Sequence, residues 1–267
     1  MSGGALPDIL ERIVAQRRAR VTAAPATEVP AGRDTPLTVA ENDFLAALAR
    51  RRGRSVIAEV KLGSPRLGDL RDRVDPLTQA QAYAEAGAVA LSVVVEPDFF
   101  HGSYELLRRC QEASGLPALA KDFVVDPRQL EWARDAGADA VLLIAALQPR
   151  EALHRLAASA RALGLAPLVE IHTREDADKL AGADWELIGI NHRDLRIFEV
   201  DLELSRPLLP HLPPDAFKVA ESGIRSPADV ERLAALGFDA FLIGETLLTA
   251  DDPATRLEEL LKTPEGP

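Results

Sequence analysis

Short apolar segments alternate along this chain with longer segments in which apolar residues recur at helical spacing. The apolar segments are residues 55–61, 88–95, 116–121, 139–144, 166–171, 186–191, 217–222 and 239–244. Apolar runs of this length, separated by helical patterns, predict parallel strands that alternate with amphipathic helices. Glycine often stands just before the next apolar segment, as Gly87, Gly137 and Gly237 do, and a helix commonly ends at such a glycine.

Two of the intervening segments carry clear signals for the start of a helix. In residues 126–135, Asp126 stands at the N-cap position and Pro127 at the first helical position, and residues 226–236 open with Ser-Pro. Eight strand–helix units in succession predict a (β/α)8 barrel. The alternative is an open doubly wound sheet. That fold usually has GxGxxG after its first strand, whereas this chain has VKLGSPRLG.

The N-terminal part of the chain lies outside the eight units. Its apolar spacing predicts an amphipathic helix over residues 8–21, and the stretch 23–37, rich in Pro and Ala, predicts a loop. We therefore expect residues 1–50 to form an N-terminal helical extension packed on the barrel and residues 51–267 to form the barrel itself.

Composition and charge limit the kinds of molecule that this protein is expected to bind. The formal net charge is −11, from 31 basic and 42 acidic residues, which argues against binding to a nucleic-acid backbone. We interpret the arginines within residues 50–54 as a solvated helix end. No apolar run approaches the ~18 residues of a membrane span, and the N-terminus lacks a secretory signal pattern. The single cysteine, Cys110, excludes an internal disulfide framework. We expect a soluble, cytoplasmic protein that binds neither nucleic acid nor a membrane.

Charged and amide side chains gather at the ends of the apolar segments. Because side chains alternate along a strand, Glu59 and Lys61 lie on the same face as Ile57. Burial of these charges costs free energy unless they form an ion pair or serve in catalysis. The later segments end with Lys121, Glu170, Asn191 and Arg193, Glu221 and Ser222, and Gly244 and Glu245. In a barrel the carboxyl ends of the strands form the active site, so we expect these residues to face one mouth.

The last two strand ends also predict a phosphate site. The loops after strands seven and eight of such barrels commonly bind phosphate through backbone N–H groups. Here Gly223 and Gly244 stand in those loops, and glycine lets the backbone approach an anion closely. The five histidines show no metal-binding spacing, so we expect no metal site.

The segments that hold these residues resemble those of indole-3-glycerol phosphate synthases. They are VIAEVKLGSP (56–65), LSVVVEPDFFHGSYE (91–105), LAKDFVVDPRQ (119–129), GADAVLLI (137–144), LVEIH (168–172), IGINHRDLRIFEVDL (188–202), VAESGI (219–224) and FLIGETLL (241–248). The resemblance covers nearly the whole chain and implies a (β/α)8 barrel with an N-terminal extension. It further implies ring closure of the phosphorylated substrate 1-(o-carboxyphenylamino)-1-deoxyribulose 5-phosphate, with loss of CO₂ and water and without a cofactor.

The resemblance also implies roles for the residues at the expected mouth. Lys121 resembles the general acid that acts on the substrate carbonyl or its hydroxyl, and Lys61 a lysine that contacts substrate and shares in proton transfer. Glu170 resembles the acid or base of the final dehydration. We assign Glu59, Lys61, Lys121, Glu170, Asn191, Glu221 and Ser222 to the catalytic group, and Ser64, Arg193, Gly223, Gly244 and Glu245 to substrate binding.

The chain departs from the family pattern mainly in the loop after the first strand. Leu62 and Gly63 precede Ser-Pro where the family has lysine, and Arg66 and Leu67 follow it where the family has Ser-Lys; His192 replaces an asparagine. Two alternatives therefore stay open: a related barrel enzyme that accepts a modified anthranilate-derived substrate, and a catalytically silent paralogue that acts in binding or regulation. The retained lysines and Glu170 argue against the silent paralogue.

Overall fold

Eight parallel strands form a closed barrel, as the sequence predicts. The computed structural model describes residues 9–25, 32–73, 75–194 and 199–262. The strands are β1 (Ser55–Val60), β2 (Ala90–Val94), β3 (Ala118–Lys121), β4 (Ala140–Ile144), β5 (Ala166–Ile171), β6 (Leu187–Asn191), β7 (Phe217–Glu221) and β8 (Ala240–Ile243). Each strand lies beside its neighbours in sequence, and β8 closes the barrel by pairing with β1.

Helices surround the barrel and connect its strands. They are α1 (Ile9–Ala23), α2 (Asp43–Arg50), α3 (Pro76–Glu85), α4 (Tyr104–Ser114), α5 (Arg128–Asp135), α6 (Arg150–Ala162), α7 (Arg174–Asp178), α8 (Ser205–Leu208), α9 (Pro227–Ala235), α10 (Glu245–Leu248) and α11 (Pro253–Leu261). α9 begins after Ser226 with a capping box, as its start signal predicts. α5 begins one residue later than predicted, because Pro127 is the N-cap residue and the Asp126 carboxylate accepts the Arg128 N–H at 3.0 Å.

The barrel has two apolar cores, one inside it and one between its outer face and the helices, because successive side chains of each strand point to opposite faces. One face of every strand packs against the helices, and the other face fills the barrel interior with residues such as Ile57, Leu119 and Leu168. Phe44 and Leu48 of α2 belong to the interior core and are fully buried, so α2 covers the amino-terminal end of the barrel. The opposite end, where the strands finish, is left for polar side chains.

α1 and α2 lie at opposite ends of the barrel. The Asn42 amide donates to the carbonyl oxygens of Asp139 and Gly164, which precede β4 and β5. Arg17 of α1 pairs instead with Asp122, the residue after β3. The predicted helix over residues 8–21 is thus confirmed as α1. The predicted loop falls partly outside the described residues, and the boundary near residue 50 stays a prediction.

The arginines before β1 are largely exposed, as a solvated helix end requires, and two of them also make ion pairs with neighbouring elements. Arg52 donates to Asp239 at 2.5 Å and lies over the Phe217 ring, and Arg54 pairs with Glu231. Within the described ranges, no helix is long and apolar enough to span a membrane.

Candidate active site

One cavity at the carboxyl ends of the strands collects all the residues selected from the sequence. They are Glu59, Lys61, Ser64, Lys121, Glu170, Asn191, Arg193, Glu221, Ser222, Gly223, Gly244 and Glu245. The expectation that these side chains face one mouth is therefore confirmed; their individual roles stay predictions.

The end of β1 contributes a paired carboxylate and ammonium. Glu59 is buried, and its Oε1 lies 2.7 Å from Lys61 Nζ. Burial favours the neutral acid, but the charges of Lys61 and Lys121 outweigh it and lower the pKa of Glu59. Glu59 is therefore an ionised group that can orient the lysines beside it.

Lys121 lies at the centre of the polar end of the cavity. Its Nζ is 3.2 Å from Glu221 Oε2 and 3.6 Å from Glu170 Oε2, so strands β3, β5 and β7 bring three charges together. Burial opposes the charge on Lys121, but Glu221, Glu170 and Glu59 together raise its pKa above the ordinary value. Lys121 thus holds its proton until a substrate group accepts it.

Glu221 combines burial with an unsatisfied oxygen. Within the described ranges its Oε1 has no hydrogen-bond partner. Burial, reinforced by the nearby Glu170 charge and opposed by Lys121, raises the pKa of Glu221 to about 7. A carboxyl group with this pKa exchanges its proton readily near neutral pH.

Gly189 of β6 makes room for this carboxylate. It lies between β5 and β7, opposite Glu170 on one side and Val219 on the other. A Cβ at Gly189 would collide with Glu221 Oε1. The glycine therefore allows the Glu221 side chain to cross β6 and approach Lys121.

The rim near β7 and β8 has special backbone geometry. Ser222 and Gly223 both adopt left-handed conformations, with φ of 66° and 78°. A Cβ at Gly223 would meet Val200, and a Cβ at Gly244 would meet the Glu59 carboxylate. Both glycines are thus required by close approaches within the protein, whereas the sequence suggested only the approach of an anion.

Two arginines share one carboxylate at the rim. Arg193 Nη2 lies 2.7 Å from Glu245 Oε2, and Arg66 pairs with the other oxygen of Glu245. Asn191 Oδ1 accepts the Arg193 N–H at 3.1 Å, which fixes the start of the loop after β6. Arg66, a departure from the family pattern, therefore lies at the cavity.

An apolar wall that the sequence reasoning missed lies beside the charged groups of the cavity: Ile144 pairs in register with Glu170, and Leu242 with Glu221. It is lined by Phe100, Phe123, Leu142, Ile144 and Leu242, together with Ile9, Leu10 and Ile13 of α1. Leu142 and Ile144 lie in step on the inward face of β4, as the alternation along this strand indicates, but alternation does not show that they line a cavity rather than a core. The contribution of α1 carried no such signal.

A buried polar network fixes α1 beside Lys121. Asp122 pairs with Arg17 and also accepts from Tyr104 Oη at 2.8 Å and Gln129 Nε2 at 2.9 Å. Arg20 binds Asp98 in the loop after β2, which carries Phe100. The extension is therefore attached to two loops that shape the cavity.

The histidines near the mouth differ in position. His172 Nε2 lies 3.6 Å from Glu170 Oε1. The His192 ring instead contacts the Glu221 carbonyl oxygen and packs near Phe238 on the outer side of the barrel. Neither histidine lines the cavity, but His172 lies beside Glu170, which does. Among the described residues, no three His, Cys, Asp or Glu side chains form a cluster that could hold a metal ion.

Comparisons with known proteins agree with the resemblance seen in the sequence. The family model of indole-3-glycerol phosphate synthase matches residues 10–260. The indole-3-glycerol phosphate synthase of Albidiferax ferrireducens is 42% identical over 268 residues, covering 97% of this chain and 100% of the relative. That of Burkholderia vietnamiensis is 40% identical, covering 96% and 99%. A thiamine phosphate pyrophosphorylase structure from Pyrococcus furiosus shares the fold alone, with a TM-score of 0.58 and 18% identity over 79% of this chain and 95% of that one.

Proposed function

The chain belongs to the indole-3-glycerol phosphate synthase family, and we propose that its cavity closes the ring of 1-(o-carboxyphenylamino)-1-deoxyribulose 5-phosphate. This reaction forms a bond from the aryl carbon that bears the carboxylate to the ketone carbon, then releases CO₂ and water. The observation that carries the proposal is the position of Lys121, an ammonium between Glu170 and Glu221 in a cavity that apolar side chains also line.

In this proposal Lys121 is the general acid of ring closure. Negative charge develops on the ketone oxygen as the new carbon–carbon bond forms, and a fixed ammonium stabilises and protonates that oxygen. Departure of CO₂ then restores the aromatic ring, which provides the electron sink, so the chemistry requires no cofactor. Lys61, held by Glu59 at 2.7 Å, supplies a second ammonium to the same region.

Dehydration requires a proton acceptor and a proton donor. In this proposal Glu170 removes the proton next to the departing hydroxyl, and Lys121, reprotonated from solvent through Glu221 after ring closure, protonates that hydroxyl so that it leaves as water. Glu221, with a pKa of about 7, supports proton exchange in the same cluster. In this proposal Asn191, whose Oδ1 accepts the Arg193 N–H at 3.1 Å, orients the substrate beside these groups.

Substrate binding divides between the rim and the apolar wall. The phosphate is proposed to lie at Gly223, Gly244 and Glu245, where the first turn of α10 leaves backbone N–H groups without partners inside the helix. Arg193 adds a positive charge at the proposed phosphate site. Ser64 and Ser222 offer hydroxyl groups to the sugar chain, and the aryl ring fits against the apolar wall.

The direct test is turnover of the unsubstituted substrate by the purified full chain, followed by indole absorbance or fluorescence. The expected result is formation of indole-3-glycerol phosphate with release of CO₂. Product from a ring-substituted substrate alone would favour the alternative specificity, for which Arg66 and Leu67 are the candidates because both line the cavity. No product from either substrate would overturn the proposal in favour of a silent paralogue.

A further inference from the structure

His172 lies beside the reacting groups but has no role in the proposed mechanism. It is the first residue after β5, two positions beyond Glu170, and its Nε2 is 3.6 Å from Glu170 Oε1. That nitrogen is buried and has no hydrogen-bond partner within the described ranges. A buried N–H without a partner costs free energy, and a small movement of either side chain would complete the bond.

The direction of the ring is set by an ordered backbone. The Asp176 carboxylate accepts the N–H groups of His172 and Thr173 at 3.2 and 3.3 Å. In return, the Thr173 hydroxyl accepts the Asp176 N–H at the start of α7, which completes a capping box. His172 is thus held at a helix start, and its side chain points back toward the end of β5.

We propose that His172, as a neutral imidazole with its proton on Nε2, donates a hydrogen bond to Glu170 and is the positioning residue for that carboxylate. The other oxygen of Glu170 faces Lys121 at 3.6 Å, so each carboxylate oxygen has its own partner. This inference rests on the proposed function, because it supplies a partner for the group assigned to dehydration. Apo distances of this kind commonly shorten when substrate binds.

The surroundings of His172 favour the neutral ring that this bond requires. The groups that face it are Glu170, Glu221, Asp176, Asp194, Lys121 and His192. Burial dominates over the carboxylates and lowers the pKa of His172. A neutral imidazole donates a hydrogen bond from one nitrogen only. A hydrogen bond from that nitrogen to the Glu170 carboxylate stabilises the ionised carboxylate, which can then accept a proton.

Three variants test this role in the full chain. His172→Ala removes the donor, His172→Gln places an amide nitrogen near the position of Nε2, and His154→Gln is the control. His154 lies outside the cavity, where its Nε2 contacts the Lys179 carbonyl oxygen at 2.8 Å. The measurements are steady-state kinetics, the single-turnover rate of indole formation as a function of pH, and the ring ¹⁵N shifts of the wild type.

We expect His172→Ala to lower the single-turnover rate by about 10- to 100-fold with little change in KM, since a misplaced reacting group costs rate rather than binding. Because the carboxylate loses a hydrogen-bond donor, the acidic limb of the pH profile should move upward. His172→Gln should recover most of the rate and return the limb, and His154→Gln should match the wild type.

Three results would each overturn the inference while the proposed function stands. The first is wild-type kinetics in His172→Ala. The second is a loss of rate in His172→Ala with no change in the acidic limb of the pH profile and no recovery in His172→Gln. The third is ¹⁵N shifts showing that the ring is protonated on Nδ1, or on both nitrogens, at pH 7. Failure of the wild type to turn over the substrate would count against the proposed function instead. The ¹⁵N measurement would still report on the histidine, because it does not depend on turnover.

Discussion

Replacement of Lys121 by alanine separates what this residue does for the reaction from what it does for the fold. The ammonium is 3.2 Å from Glu221 and 3.6 Å from Glu170, and its proposed task arises only as charge develops on the substrate oxygen. General acids of this kind contribute roughly 10²–10⁴-fold, equivalent to about 3–5 kcal/mol of barrier. We therefore expect kcat to fall by that factor while KM changes a few-fold at most.

The same substitution leaves buried carboxylates without their cation. Removing one partner of a buried ion pair typically costs about 3–5 kcal/mol when the other group stays charged. Glu221 can avoid part of that cost by taking up a proton, since its pKa is already about 7 with Lys121 present. A carboxyl group whose pKa is higher in the folded protein than in the unfolded chain stabilises the fold while it is protonated. For Glu221 this stabilisation is lost as the pH rises through the folded-state pKa of about 7. Without Lys121 the pKa rises further, so the variant should lose more unfolding free energy at pH 8 than at pH 6.

The two consequences are measured separately. Steady-state and single-turnover kinetics report on the reaction, and urea unfolding at pH 6 and pH 8 reports on the fold. Lys121→Arg is the companion variant, and it should restore stability better than rate, because arginine keeps its proton and its planar group cannot occupy the same point. A kcat near that of the wild type in Lys121→Ala would refute the assigned mechanism, and equal losses of stability at the two pH values would refute the account of Glu221.

Three further predictions concern the groups around this lysine. Glu170→Gln keeps the shape of the side chain but removes the proton acceptor, so rapid-quench analysis should show an intermediate accumulating before dehydration; its absence at normal kcat would contradict that role. Gly189→Ala places a methyl group where Glu221 Oε1 lies, so kcat should fall about 100-fold or more, with about 1–3 kcal/mol of destabilisation. Its effect should not add to that of Glu221→Gln, and full additivity in the double variant would show that the two positions are independent. Gly244→Val should raise KM for the phosphorylated substrate and also lower kcat, because its Cβ displaces Glu59; a change in KM alone would indicate that only the anion is affected.

The strand pattern of this fold is readable from the sequence for a physical reason. Barrel strands are buried on both faces, so each appears as a nearly continuous apolar run, as Ala140–Ile144 does. Against that background a charge is conspicuous, and Lys121 and Glu170 stand out because polar side chains are tolerated only where a strand reaches the cavity. The exact start of α5 was missed by one residue because both Asp126 and Pro127 suit a helix start.

Other parts of the cavity have no distinct signature along the chain. Leu142 contributes to the apolar wall, but an inward leucine on a strand looks the same whether it packs in a core or meets a ligand. Ile13 lies on an amphipathic helix whose docking position is set by Arg17 and Asp122, residues separated by 105 positions in sequence. Gly189 reads as an ordinary glycine in a strand until the path of the Glu221 side chain is known. These features depend on distances between elements, which periodicity does not encode.

The pairing of charges in the cavity explains how an acidic protein can prepare a site for an anionic substrate. Each of the four cations that line the described cavity already has a carboxylate partner: Lys61 has Glu59, Lys121 has Glu170 and Glu221, and Arg66 and Arg193 share Glu245. A substrate that brings a phosphate and a carboxylate therefore exchanges partners with groups that are already fixed, which reduces the ordering that binding would otherwise require. The exchange also leaves Glu221 with less compensation from Lys121 than before, and burial already raises the pKa of this carboxyl group. Substrate binding should thus raise the proton affinity of Glu221 further, and a carboxyl group that gains proton affinity on binding is suited to exchange protons beside Lys121 during dehydration.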